Sequence, residues 1–451
     1  MAKTAAPKAK HNLWKDSQFL RLWTGNLLSA LADGAFFIAL SWFIVDVTGS
    51  EAILGTTLLC MSIPRLIFML VGGAAADKYN RKWIMFASIL ARGVIIAGFG
   101  LLLLQDGLAA SQSLPYAAYL TAFLFGTVDA FFWPARSSIL PSVVRREHLA
   151  PANSLLEVAQ QISLVGGPLV AALLLRNTSY AWAFLLMSGA FFAGTLILYS
   201  LRLRPLETEA EENTSASLPA PASEKGTFLR QIFEGIRYTR TVPVLLLIFG
   251  TSLVINMMFS GPVNMGLPLL VKQLGWDSHA YSSLSTALGI GTIIGGAVAG
   301  LCNGFRGRFL LIPLFLSAMG LGVAAASQMS ALSFGLAMML IAGTMMAMTN
   351  IPLIIYIQTI VPGHMLGRVM SLLTFMSVGL GPVSYALCSY LLERKILAAH
   401  TLLLVGGAAI GVLGLGLLMF RHFRQAEQHP LWVSGGTAKP ASEAEQAPLS
   451  V

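Results

Sequence analysis

The chain has 451 residues, 56% of them hydrophobic and only 11% charged, with a formal net charge of +9. Water-soluble domains run nearer a quarter charged, so a soluble globular fold, a disordered chain and a disulfide scaffold are all excluded. This is the composition of a chain built for lipid, where each helical crossing takes about 20 apolar residues.

In chain order, residues 1–17 form a basic tail carrying Lys3, Lys8, Lys10 and Lys15. It has no apolar core, and the first apolar run is too long for a signal peptide, so the tail is expected in the cytoplasm. Residues 18–203 then hold six predicted spans: Phe19 to Val45, Ile53 to Ala76, Trp83 to Leu104, Leu114 to Ala135, Asn153 to Leu175 and Ala181 to Leu201. A polar break at 204–226, with Glu207, Glu209, Glu211 and Glu212 before a Ser-, Ala- and Pro-rich stretch, reads as a flexible cytoplasmic linker. In 227–241, Phe228, Leu229, Ile232, Phe233 and Ile236 recur on one helical face, which predicts a helix lying on the membrane surface or a solvent-exposed helix leading into the next span. Six more spans follow in 242–420: Val242 to Val271, Tyr281 to Leu301, Phe309 to Ala326, Leu332 to Ile357, Val369 to Leu392 and Leu397 to Phe420. Residues 421–451 are expected to be a second cytoplasmic tail.

The runs are continuously apolar rather than alternating, which selects helices over a barrel. The expected fold is all-α and integral to the membrane, with twelve transmembrane helices in two pseudo-symmetric six-helix bundles. With the N-terminus inside, the outer loops hold only Arg176, Lys272, Arg394 and Lys395, and the spans hold Arg65 and Arg92. Every other Lys and Arg falls on the cytoplasmic side, which places both termini there and accounts for the positive charge without a nucleic acid. Cys60, Cys302 and Cys388 lie in or beside apolar runs and read as small buried hydrophobes.

The two halves read as copies. Gly72-Gly73-Ala74-Ala75-Ala76-Asp77 closes the second span and Gly295-Gly296-Ala297-Val298-Ala299-Gly300 closes the eighth, an offset of 223 residues that also places Asp33 opposite Asn256. Gly167-Pro168 in span five and Gly381-Pro382 in span eleven each follow a serine by four residues, Ser163 and Ser377. Proline removes a helix hydrogen bond and glycine admits close approach, so these are candidate hinges, with a static kink as the other reading. A duplicated set of six spans is transporter architecture.

The segment from Gly73 to Lys82 reads Gly, three residues, Asp, a basic residue, two more, then two basics. It resembles the loop 2–3 signature of the major facilitator superfamily, with Asn80 where Gly is frequent and Lys78 where Arg is usual. Three other stretches look like a proton-linked efflux branch that includes macrolide and enterobactin exporters. They are Leu140-Pro141-Ser142-Val143-Val144 leading through Glu147, His148 and Leu149 to Ala152-Asn153, then Gly235-Ile236-Arg237-Tyr238, and Gly367-Arg368-Val369. Span four carries Asp129 where drug antiporters have a mid-membrane Arg, and Ser163 stands where their span-five motif prefers Gly. The resemblance implies alternating access, proton-driven export of an amphipathic small molecule, and a monomer in the cytoplasmic membrane, with uptake or facilitated transport of a nutrient or lipid as the other reading. It further implies that Gly73, Asp77, Lys78, Arg81 and Lys82 form a conformational latch.

Charges within spans cost at least ~2.5–3.5 kcal/mol each, so each needs a partner, water or a purpose. Asp33, Arg65, Arg92, Asp129 and Glu157 all belong to the first half. Depth along the helices pairs Asp33 with Arg65 and Arg92 with Asp129. Such pairs serve as staples between helices or as proton carriers. Asp33 is the first candidate carrier, Asp129 the second and Glu157 the third, the last also suiting a solvated position. Phe36, Phe37, Asn256, Met257 and Asn350 are candidate walls of a substrate cavity, aromatic and thioether surface with amide handles suiting amphipathic cargo. Packing filler has the same composition. Neither a phosphate-cradling loop nor metal-spaced His and Cys is found, so neither an enzyme nor a cofactor is expected, and membrane lipid, protons and the cargo are the expected partners.

Overall fold

The computed structural model describes residues 13–105, 113–145, 148–203, 236–428 and 432. The predicted linker 204–226 and most of the predicted interfacial helix lie outside the described residues, and 236–241 is helical. Each predicted span corresponds to one helix: α1 Ser17–Thr48, α2 Glu51–Lys78, α3 Arg81–Leu102, α4 Leu114–Ile139, α5 Leu149–Asn177, α6 Tyr180–Tyr199, α7 Pro243–Gln273, α8 Ser278–Leu301, α9 Leu311–Ala326, α10 Leu332–Ile360, α11 Gly363–Glu393 and α12 Ala399–Leu417. Eleven are long and apolar enough to cross a membrane, and α9, with 16 residues, is the short one. Within α7 the turn Pro262–Gly266 widens to a π-helix, where Pro262 withholds a backbone donor. The turns α1–α2 and α7–α8 each use a glycine at positive φ, Gly49 at 59° and Gly275 at 74°, a conformation that a Cβ disfavours.

The helices divide into two units, one of residues 1–40 and 60–218, the other of 41–59 and 219–451. Segment 41–59, read from sequence as part of the first bundle, belongs to the second unit. There Trp42 stacks on Tyr281 with ring centroids 6.0 Å apart, Lys272 pairs with Asp46, and Gly55 abuts Ser389.

Within the first unit, α1 packs through Phe36 against Phe125 at 4.6 Å and Phe184 at 6.0 Å. Small residues set the closest crossings, because without a hydrophobic drive between helices in lipid, backbone approach supplies the contact. A Cβ at Gly72 would lie 2.6 Å from the Ala130 carbonyl oxygen of α4. In the second unit a Cβ at Gly295 would meet the Thr344 carbonyl of α10 in the same way, whereas one at Gly73 would meet nothing within 4 Å and one at Gly296 only the Ile351 side chain at 3.7 Å. The copied glycine pairs therefore share one function: the first of each pair is the crossing point.

The end of the chain departs from expectation. Arg421–Ala426 forms a short helix, α13, and Phe423 and Trp432 are buried against Phe309 and Tyr356, with centroid distances of 4.3 Å for Phe309–Tyr356, 4.7 Å for Phe309–Phe423 and 5.1 Å for Tyr356–Trp432. Tyr356 Oη donates to the Ala426 carbonyl at 3.3 Å. Residues 421–426 and 432 are thus part of the second unit's core rather than a free tail. Phe309, read from sequence as the start of a span, belongs to that aromatic cluster and precedes α9.

Candidate functional site

Five charged side chains of the first unit, Asp33, Arg65, Arg92, Asp129 and Arg136, lie on four helices. On α1, Asn26, Ser29 and Asp33 follow at i, i+3 and i+7 and share a face. Ser88 and Arg92 do so one turn apart on α3, as do Asp129, Trp133 and Arg136 on α4, and α2 contributes Arg65 next to Pro64.

Arg92 is the hub. One terminal guanidinium nitrogen donates to both carboxylate oxygens of Asp33 at 2.7 Å and to Asp129 Oδ1 at 3.2 Å. The other donates to Ser29 Oγ and Nε to the Ser88 carbonyl, both at 3.4 Å. Its guanidinium carbon stands 4.5 Å from the Phe132 ring centroid and 5.4 Å from that of Phe191, so π faces cover what carboxylates do not. Arg65 Nε meets Asp129 Oδ2 at 3.1 Å and lies over Trp133 at 5.7 Å. The result is an alternating chain, Asp33–Arg92–Asp129–Arg65, with zero net charge. Its middle is closed and its ends are open: side-chain exposure is 0% for Arg92 and 8% for Asp129, against 26% for Asp33 and 37% for Arg65. Neutrality satisfies the demand that charges in apolar surroundings be paired, and the open ends leave one acid and one base reachable.

Two pairings differ from those expected on depth. Arg92 does pair with Asp129, but Asp33 is held by Arg92 rather than Arg65, which pairs with Asp129 instead. Rise per residue ranks heights, whereas the direction in which each side chain leaves its helix depends on packing. Arg136 lies one residue beyond the predicted end of span four at Ala135. In the structure α4 continues to Ile139 and buries Arg136, whose Nε donates to Asn26 Oδ1 at 2.9 Å and whose terminal nitrogen donates to the Leu156 carbonyl at 3.2 Å. The helical phase of Asp129, Trp133 and Arg136 was the signal that could have found it. Glu157 is the exposed partner of Arg136, at 3.5 Å and 57% side-chain exposure, and stands apart from the Asp33–Arg92–Asp129–Arg65 chain.

The predicted latch segment joins α2 to α3. Asn80 caps α3, its side chain accepting from the Lys82 backbone N–H at 3.0 Å. Lys82 Nζ donates to the Tyr199 carbonyl at 2.8 Å and lies 5.4 Å from the Trp83 ring, which ties this turn to the end of α6. Gly73 stands clear of other helices, Lys78 is exposed beside Tyr79, Arg81 opens α3 half-buried, and Asp77 is in α2 with its side chain outside the described residues.

The paired Gly-Pro sites differ. A Cβ on Gly167 would lie 2.8 Å from Gly34 Cα, so α1 and α5 touch backbone to backbone beside Asp33. A Cβ on Gly381 would meet nothing nearer than Tyr385 at 3.8 Å. Pro168 and Pro382 lie inside α5 and α11.

The second unit holds a cavity of about 330 Å³ lined by Asn256, Asn350, Ser252, Ser377, Phe259 and Met346 among others. The two predicted asparagines are in its wall. Met257 is not, its carbonyl instead accepting from Ser384 Oγ at 2.6 Å across to α11. Phe36 is wholly buried in aromatic packing, so it is core rather than cavity wall, and Phe37 is half-buried. Among the described residues no group of His, Cys, Asp and Glu is placed to hold a metal ion.

Residues 22–385 match the Major Facilitator Superfamily. The chain belongs to that superfamily. It is therefore a multi-pass membrane transporter rather than an enzyme. The enterobactin exporter EntS of Escherichia coli (strain K12) is 26% identical to it over 420 residues, covering 90% of this chain and 93% of that protein. Among solved structures, the nucleoside transporter NupG is similar with TM-score 0.67 at 15% identity, covering 90% of this chain and 99% of NupG. A bacterial homologue of the iron transporter ferroportin, in an inward-facing state, is similar with TM-score 0.68 at 15% identity over 91% of this chain and 99% of its own. At such identities the structural likeness concerns the superfamily fold.

Proposed function

We propose that this facilitator-superfamily transporter exports an amphipathic small molecule, a drug, a macrolide-like compound or a siderophore, in exchange for protons. It does so by alternating access, as a monomer in the cytoplasmic membrane with both termini inside. The observation that carries the reading is the neutral chain Asp33–Arg92–Asp129–Arg65 with its open carboxylate end. Protonating Asp33 removes one negative charge from Arg92, which keeps Asp129, so the chain passes from neutral to a net charge of +1. A conformation that shelters this unbalanced charge differs in energy from one that exposes it, which is how binding and release of a proton bias an equilibrium between two states. Phase along α1 places Asp33 beside the α1–α5 crossing at Gly34 and Gly167, where a small displacement between helices is felt at the carboxylate.

Cargo character rests on the cavity of the second unit, where Asn256 and Asn350 offer amide hydrogen bonds amid Phe, Met and Ile. The direction of transport rests on the likeness to an enterobactin exporter. Everted vesicles bearing the full chain test all three elements. With an inwardly acidic gradient they are expected to accumulate a member of a panel comprising ethidium, a macrolide and a catecholate siderophore, and to leak protons as they do so. Asp33→Asn should abolish uphill accumulation while leaving downhill exchange. Undiminished uphill accumulation by that variant would overturn the coupling, and accumulation only in right-side-out vesicles would reverse the direction.

A further inference from the structure

A second depression lies in the same unit. It has a volume of about 480 Å³ and runs between the helical turn 236–241, α7 and α11. From α7 come Leu246, Phe249 and Leu253, at i, i+3 and i+7, and from α11 come Leu372, Phe375 and Met376. At 1.5 Å per residue the α7 side alone is roughly 10 Å deep, so this is a groove running lengthwise into apolar depth rather than a dimple. Its only charged or hydrogen-bonding side chains sit together at one end. Ile236, Thr239 and Arg240 share a face of the turn that precedes α7, and Arg237 is exposed one turn from Arg240.

Two features of that end call for a ligand. Thr239 is 3% exposed, yet its hydroxyl has no hydrogen-bond partner, which leaves an unsatisfied polar atom in a groove wall. No carboxylate lines the groove, and among the described residues neither Arg237 nor Arg240 has an ion-pair partner. An exposed cation and a buried hydroxyl above an apolar furrow complement an anionic headgroup above a hydrocarbon chain.

We propose that this groove binds one anionic phospholipid. An acyl chain lies along Leu253, Phe249 and Met376, the phosphate sits in the guanidinium fork of Arg240, and the Thr239 hydroxyl donates to a phosphate or ester oxygen. Arg237 adds to the local positive field. The site gives a role to Ile236, Thr239 and Arg240 that proton coupling leaves without one, and it does not depend on which cargo is carried.

Native mass spectrometry of the purified full chain, titrated with phosphatidylglycerol or with phosphatidylcholine of matched chains, tests the proposal. The wild type is expected to retain one phosphatidylglycerol with at least roughly fivefold preference, the factor one interfacial arginine supplies. Arg240→Gln, a surface change that leaves the core untouched, should remove most of that preference. Thr239→Val should weaken phosphatidylglycerol retention. Leu253→Trp should block the groove and lose the retained molecule, its fold being checked by an unchanged melting curve. Arg308→Gln and Leu196→Trp, exposed positions elsewhere, should change nothing. Equal retention of both lipids by the wild type, or full preference in Arg240→Gln, would overturn the site. So would displacement of the lipid by ethidium, a macrolide or a catecholate, which would make the groove a cargo entrance.

Discussion

Replacing Arg92 with leucine removes the hub of the charge chain and leaves Asp33 and Asp129 with Arg65 alone. The guanidinium is wholly buried and makes contacts of 2.7 Å to Asp33 and 3.2 Å to Asp129. Breaking a buried pair by deleting one partner costs about 3–5 kcal/mol, because the remaining charge stays desolvated. For a unit of this size each kcal/mol moves the melting temperature by about 2–4 °C, so a drop of roughly 10 °C is expected. Differential scanning fluorimetry in detergent reads this through Trp23 and Trp133, which lie in the same unit. The three single changes should rank by what they strand. Asp33→Asn costs least, since its carboxylate is partly open and Arg92 keeps Asp129. Asp129→Asn costs more, since it releases two guanidinium groups, and Arg92→Leu costs most. The double change Arg92→Leu, Asp33→Asn should recover most of the loss, because it leaves Asp129 paired with Arg65 and strands no charge. An Arg92→Leu protein that melts with the wild type, or a double variant no better than the single, would refute the energetic argument.

The two Gly-Pro sites should separate under one substitution: Gly167→Ala forces α1 and α5 apart and loses about 1–3 kcal/mol, while Gly381→Ala is tolerated, both read as melting shifts alongside transport. Trp432→Ala empties the aromatic cluster around Phe309 and Tyr356, and a loss of about 3 kcal/mol with faster proteolysis of the C-terminal segment is expected. Lys272→Met breaks the ion pair with Asp46, but both side chains are about a third or more exposed, so the change in stability should stay within about 1 kcal/mol and vanish at high salt.

Lipid solubility, helix number and the internal duplication were legible in the sequence, because each depends on composition and spacing along a single chain. Twelve apolar runs gave twelve helices, and the offset that aligned Gly72 with Gly295 put both at helix crossings. The loop carrying Gly73, Asp77, Arg81 and Lys82 announced the superfamily. The pairing of charges was only half legible: matching heights found Arg92 with Asp129 but gave Asp33 the wrong partner. Arg136 was missed by one residue of span boundary, and Gly167 and Gly381 looked alike although only one is a crossing. The same limit separates Asn256, in a cavity wall, from its neighbour Met257, and exposes Phe36 as core. In each case the deciding quantity is the angle at which a side chain leaves its helix and what the neighbouring helix puts there. A residue's own sequence neighbourhood sets height and hydropathy. Azimuth and occupancy arise only when four or five helices pack together, and so the tertiary structure alone decided which carboxylate meets which guanidinium.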